Sequence, residues 1–156
     1  QIDKEKQLFG IGGAVHEAIA LVDAGFREHD IEFMIEGEND AETLGNENEL
    51  VQVLLNIFNN SKEAIEAGGI EHGRIAIRLG QADGAARIVV RDNGGGIPVK
   101  VMGRLFDPYF STKKAGTGIG LYLSKMIIEK SMGGHIAAAN IDGGAEFTVS
   151  FPLLKV

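Results

Sequence analysis

The chain has 156 residues, 44% of them hydrophobic, which suits one globular domain with a single sizeable core. A formal charge of −7 with no Lys/Arg-rich stripe argues against nucleic acid as a partner, because affinity for that polyanion comes from neutralising phosphates. The absence of cysteine excludes disulfides and thiolate metal sites and suits a cytoplasmic setting; no apolar run reaches the roughly 18 residues that span a bilayer, and residues 1–9 (QIDKEKQLF) are too charged for a signal peptide, so no membrane contact is expected of this chain.

In chain order, Val15, Ala18, Ile19, Val22 and Phe26 recur at helical spacing over residues 11–29, and Ile31–Glu36 alternates as a strand. Asn46 followed three residues on by Glu49 resembles a capping box; Leu50, Val53, Leu54, Ile57, Phe58, Ser61 and Ile65 then mark one face of a helix that should end at Gly68–Gly69. Ile75, Ile77 and Leu79 alternate with Arg74, Ala76 and Arg78. After a turn at Asp83–Gly84, Ile88 and Val90 alternate with Arg87, Val89 and Arg91, so a β-hairpin is predicted. Residues 94–118 have no fixed period and are too long for an ordinary connection, which marks a functional loop. A third helix is expected near 118–132, with Ile119, Tyr122, Leu123, Met126 and Ile127 inward and a stop at Gly133–Gly134; strands near 135–141 and 145–152 close the chain. The sum is an α+β two-layer sandwich, a mixed sheet of about five strands covered on one face by about three helices, with no internal repeat.

Three constellations carry chemistry. Asp92 shares its strand face with Ile88 and Val90, so its carboxylate points into the core, where an ionised group is costly unless something donates to it. It either caps the turn at Asn93–Gly94 or awaits a ligand N–H such as an adenine amino group; Gly94, Gly95 and Gly96, lacking Cβ atoms, would let a flat ring approach. On the second helix, Asn56 and Asn60 stack four residues apart at the margin of the apolar stripe, although Asn is a mediocre helix former. They form either a hydrogen-bonded edge of the core or a site where an amide oxygen meets Mg²⁺, a hard ion that bridges phosphates. Last, Gly116-Thr117-Gly118-Ile119-Gly120-Leu121 opens the third helix, whose unpaired N–H groups favour an anion. No strand precedes it and no P-loop order occurs, so alone it says little; Lys113, or else Lys114, would bring the positive charge. His16, His29, His72 and His135 lack metal-ligand spacing and are expected to be structural or surface residues.

Taken in order, QVLLNIFNNSKEA (52–64), DNGGGI (92–97), LFDPYFSTKKAGTGIGL (105–121) and GGAEFTVSFP (143–152) resemble the N-box, first glycine box, F-box, second glycine box and final strand of the catalytic domain of bacterial sensor histidine kinases, particularly the nitrogen-regulation type. That family shares its sandwich with gyrase, a heat-shock chaperone and mismatch-repair ATPases. The resemblance implies ATP and Mg²⁺ as cofactors. It makes Asp92 the acceptor of the adenine amino group, Asn60 the metal ligand and Asn56 its phosphate-side partner. Ala64, Ile97 and Leu121 would line the pocket, Gly94 and Gly96 lie under the adenine, and Gly116, Thr117, Gly118, Ile119 and Gly120 meet the phosphates. Lys113 would be the F-box lysine, and residues 98–116 the ATP lid. It also makes residues 1–9 the end of a linker from a dimerisation domain and 10–156 the catalytic domain.

Two departures and one absence bear on the reaction. The hydrolysing cousins carry a Glu where Asn56 stands, and an amide cannot activate water, which favours phosphoryl transfer. Ala145 stands where relatives often have a hydroxyl. The acceptor motif, His-Glu followed by Asn-Pro or Thr-Pro, has no counterpart: His16–Glu17 lies in the wrong helix and proline occurs only at 98, 108 and 152. The expectation is a protein-histidine kinase domain that binds Mg·ATP and phosphorylates a histidine on a dimerisation domain absent here, for onward transfer to a response regulator. The chain alone should be a monomer and the parent a homodimer. A gyrase-like ATPase and a silent nucleotide-binding module are the rival readings.

Overall fold

The computed structural model describes residues 6–37, 41–108, 110 and 120–153. Its elements are β1 (Gln7–Gly10), α1 (Ile11–Glu28), β2 (Ile31–Glu36), β3 (Glu42–Gly45), α2 (Glu47–Ala67), β4 (Gly73–Ala82), β5 (Ala85–Asp92), the short α3 (Val99–Met102), α4 (Gly120–Met126), β6 (His135–Ile141) and β7 (Gly144–Pro152); α4 runs on as a π-helical turn, Ile127–Ser131. Five strands make a mixed sheet in the order β2-β4-β5-β7-β6, with β2 parallel to β4 and every other pair antiparallel. α1, α2 and α4 with its π-turn cover one face, the two-layer arrangement expected from the alternating patterns.

Local chemistry explains α2 well. The Asn46 side chain accepts from the Glu49 backbone N–H at 3.3 Å, and Glu47 and Glu49 place negative charge at the positive end of the helix. Eight residues from Leu50 to Ile65 are buried along one stripe, and the helix stops at Gly68. Asp83 and Gly84 both take positive φ (55° and 77°), the conformation that reverses β4 into β5 with the twist a two-residue hairpin needs. The register sets Ile77 opposite Val90 and Ile75 opposite Asp92, so the carboxylate lies on the core-facing side of the sheet, as the alternation predicts. Phe33 packs edge-on against Phe58 (4.9 Å) and Phe106 against Phe147 (6.4 Å), so the core reaches from β2 to the segment after α3.

Three features differ from the sequence-based expectation. β1 and β3 form a separate two-stranded antiparallel ribbon with Leu8 opposite Leu44, which puts Gln7–Phe9, expected to be connection, into strand and Phe9 into the core. Each strand is four residues long, too short to show a period. In α4 the buried positions are Leu121 and Ser124, followed by Ile128 in the π-turn, whereas Leu123, expected inward, is exposed. The phase was obscured because an inward position is polar: the Ser124 hydroxyl donates to the Gly120 carbonyl at 2.9 Å. Finally, α-helical geometry stops at Met126, and the last turn is wider.

Candidate functional site

A cleft of about 420 Å³ opens between α2 and the loop after β5. Asn60, Glu63, Ala64, Ala67 and Gly68 form its α2 wall, Gly94, Gly96, Ile97 and Pro98 the opposite wall, and Val101 and Leu105 its apolar end. Its volume lies in the range of small-ligand sites, and apolar walls with a few polar groups are the usual lining of such sites. α2 presents this wall because positions 60, 63, 64 and 67 lie on one helical face beside the core stripe.

Asp92 ends β5 behind the glycine loop and is 5% exposed. Three neutral donors hold its carboxylate: Ser61 Oγ to Oδ2 at 2.7 Å, and the backbone N–H groups of Gly94 (2.9 Å) and Ala145 (3.3 Å) to Oδ1. A carboxylate offers about four lone-pair sites. Oδ1 is filled and Oδ2 can take one more donor, which satisfies a buried carboxyl group that, among the described residues, has no cation bound to it. The bond from Gly94 is the turn cap anticipated from sequence; it occupies one oxygen and leaves the other with capacity for a ligand N–H. Gly94 itself touches α2: a Cβ there would lie 2.9 Å from the Ala64 Cβ and 3.0 Å from the Ile65 N, so any larger residue would push the loop off the helix.

The two asparagines of α2 have different surroundings. Asn60 lines the cleft, and among the described residues none hydrogen-bonds its amide. Asn56, one turn earlier, is fully engaged: its Nδ2 donates to the Gly120 carbonyl and to Ser124 Oγ, both at 3.0 Å, and its Oδ1 accepts from Gln52 Nε2 at 2.9 Å. It thus ties α2 to the start of α4. Gly120 lies against Asn56, and Leu121 is buried in the core cluster rather than lining the cleft. The structure therefore brings Asn60, Ala64, Gly94, Gly96 and Ile97 around one cleft, with Asp92 behind it and Asn56, Gly120 and Leu121 beyond its α2 end. Lys113, Lys114, Gly116, Thr117, Gly118 and Ile119 lie outside the described residues. All four histidines are exposed. Ala145 is buried and contributes its backbone N–H to Asp92, so main chain supplies a polar contact at a position whose side chain supplies none.

The sequence does not mark Glu63, Ala67 and Gly68 as site residues, Gly68 reading only as the helix stop, although their spacing from Asn60 is available as a signal; Ser61, a lone hydroxyl in an apolar stripe, reads only as an inward position of the helix. The residues fit Mg²⁺ in a limited sense. No group of three or more His, Asp or Glu side chains among the described residues could cage an ion. An amide oxygen in a cleft, engaged by no other described residue, is what an ion that keeps several waters and bridges phosphates requires of the protein.

A family model described as the histidine kinase-, DNA gyrase B- and HSP90-like ATPase matches residues 45–155, and the chain belongs to that family. Within it, the relatives are sensor kinases. Over 94% of its length the chain is 37% identical to the signal transduction histidine-protein kinase AtoS of Escherichia coli, and over 96% it is 32% identical to the sensor protein FixL of Bradyrhizobium diazoefficiens. It spans only 24% and 30% of those two proteins. Its fold matches the catalytic domain of histidine kinase ThkA in a nucleotide-free form, with a TM-score of 0.85, 30% identity and 96% of each chain covered. A ThkA structure in complex with the response regulator TrrA also matches, at a TM-score of 0.77 and 28% identity, with 42% of that chain covered. The chain is thus a histidine kinase ATPase domain of the two-component sensor kinase group, a domain that uses ATP. No helix among the described residues is long and apolar enough to cross a membrane.

Proposed function

We propose that this domain holds Mg·ATP in the cleft between α2 and the 94–98 loop and passes the γ-phosphoryl group to a histidine on a dimerisation domain of its parent protein. The observation that carries the reading is the Asp92 carboxylate, buried, bound by three neutral donors and left with capacity for one more N–H beside a cleft of nucleotide-compatible size. In this reading the adenine amino group donates to Asp92 while its ring rests against Ala64, Gly94, Gly96 and Ile97. Asn60 contributes its amide oxygen to Mg²⁺, which when bound neutralises charge on the phosphates. Lys113 and the stretch from Gly116 through Thr117, Gly118, Ile119 and Gly120 to Leu121 are assigned to the phosphate side.

The chemistry suits a chain without a base at position 56. The bond between the γ-phosphorus and the oxygen bridging to the β-phosphate breaks, ADP leaves, and a phosphorus–nitrogen bond forms. A neutral imidazole attacks through a lone pair that is already free, so no group must take a proton before the bond forms, whereas water would need a general base. Asn56 cannot be one; its amide bridges α2 and α4 instead. The domain's contribution is then position and charge neutralisation. The parent is proposed to be a cytoplasmic homodimer; a response regulator is proposed as its phosphoryl acceptor because the similar kinase ThkA is seen in complex with the response regulator TrrA.

The test mixes the 156-residue chain with the separately made dimerisation domain of its parent and γ-labelled ATP. Label on the acceptor histidine is the expected result. Tight ATP binding without label would overturn the transferase reading, and steady release of phosphate by the chain alone would replace it with hydrolysis.

A further inference from the structure

Gly94 and Gly96 line the cleft with Gly95 between them, yet three consecutive glycines are the segment of a chain least able to hold a shape by themselves, because each gives up a large conformational entropy on ordering. Gly95 and Gly96 both sit at φ +95°, in the half of backbone space that L side chains rarely adopt. Something outside the segment must hold it. At its start the Asn93 side chain does so, accepting from the Arg74 backbone N–H at 2.8 Å and donating to the His72 carbonyl at 2.9 Å. At its end Asn140, near the end of β6 and 43 residues away in sequence, does the same to Ile97: its Oδ1 accepts from the Ile97 N–H at 2.7 Å and its Nδ2 donates to the Ile97 carbonyl at 2.8 Å.

One side-chain amide satisfying both backbone groups of a residue reproduces the hydrogen-bond pattern of a neighbouring strand, supplied here by a side chain. Around it the β6–β7 turn backs the loop at two further points: Gly95 N–H donates to the Gly143 carbonyl at 3.0 Å, and Ala145 N–H reaches Asp92. A Cβ on Gly96 would sit 3.1 Å from Asn140 Oδ1, so the glycine admits the amide to this position. Two short bonds made by an exposed asparagine have no part in the core; what they fix is the far edge of the cleft, where Ile97 lines it.

We propose that Asn140 is a positioning residue of the nucleotide site, clamping Ile97 by both backbone groups so that the glycine wall is already in place before nucleotide arrives. The proposal deepens the nucleotide-binding reading and rests on it for its ligand; the clamp itself is made by groups of this chain alone. Preorganisation of this kind raises affinity by removing the cost of ordering the wall on binding.

The test compares wild type with Asn140→Ala and with Asn140→Leu, which keeps the branched shape and loses both bonds without adding charge. Amide hydrogen exchange is followed in the free chain, and the Kd for ATP is measured separately. In both variants the Ile97 amide and its glycine neighbours should exchange faster while β5 and β7 amides keep their protection, and the ATP Kd should rise about tenfold, the loss expected for one to two net hydrogen bonds. Unchanged protection at Ile97 in either variant, or an Asn140→Leu variant that binds ATP as wild type does, would overturn the clamp; so would uniform loss of protection across the sheet, which would make Asn140 a general stability residue. Failure of the wild-type chain to bind ATP would instead overturn the nucleotide reading, with the exchange result still deciding whether Asn140 holds the loop.

Discussion

At the scale of single residues, Asp92 and Asn60 have separable tasks. Asp92 ties its own loop, the Ala145 amide and Ser61 together, and in the proposed complex also holds the base. Replacing it with Ala removes the ligand's acceptor and leaves a buried hydroxyl and amides without a partner, so Asp92→Ala should abolish measurable ATP binding by calorimetry and lower stability by about 1–3 kcal/mol. Asn60 has no such structural duty among the described residues. Asn60→Ala should therefore fold with wild-type stability and lose the Mg²⁺ dependence of ATP binding, seen by titrating ATP with and without the ion. Gly94→Ala tests the geometry of the wall: the added methyl meets the α2 backbone, which cannot yield as a flexible side chain would. That overpacking should cost about 1–3 kcal/mol in denaturant unfolding and weaken nucleotide binding as the loop lifts off the helix.

At the scale of elements, α2 belongs both to the core and to the site. Its apolar stripe anchors it to the sheet, its flank carries Asn60 and Ala64 into the cleft, and Asn56 joins it to α4. α4 is short, seven α-helical residues before the π-turn, so little of its order comes from its own hydrogen bonds. Asn56→Ala removes the donor to the Gly120 carbonyl and to Ser124. The expected outcome is faster hydrogen exchange at amides 120–126 with a global loss of about 1–2 kcal/mol, smaller than a core truncation because Ser124 keeps its own bond to Gly120. An unchanged exchange pattern in α4 would show that packing of Leu121 and Ile128, not the Asn56 bridge, orders the element.

At the scale of the molecule, the site sits where the helical layer and the sheet meet, and its two walls belong to different layers. α2 supplies one; the β5 exit, backed by the β6–β7 turn, supplies the other. The hydrophobic core between them sets their separation. Phe58 on α2 and Phe147 on β7 are both fully buried, Phe58 against Phe33 and Phe147 against Phe106. Phe147→Ala should cost about 3–5 kcal/mol in chemical denaturation, the usual range for a buried aromatic truncated to Ala.

How much of this could be read from the chain follows from the range of the interactions. Helix caps, the Asp83–Gly84 hairpin and the burial of Asp92 are set by residues within a few positions of each other, and the order of the four motif stretches is itself sequence, so the two-layer class and the inward carboxylate of Asp92 were legible. The β1–β3 ribbon was not, because four-residue strands pairing across some 35 positions leave no period. Nor were the partners of the polar side chains: Ser61 meets Asp92 across 31 positions, Asn140 meets Ile97 across 43 and Asn56 meets Gly120 across 64. The sequence by itself determined which candidate groups the chain offers, through residue type, local period and the order of its motifs. Tertiary structure alone decided that Asn56 serves as a bridge while Asn60 faces the cleft, and which distant side chains hold the carboxylate and the glycine wall. A hydrogen bond between residues far apart in the chain forms only when the packed core brings them within 3 Å or so, and no local pattern records that approach.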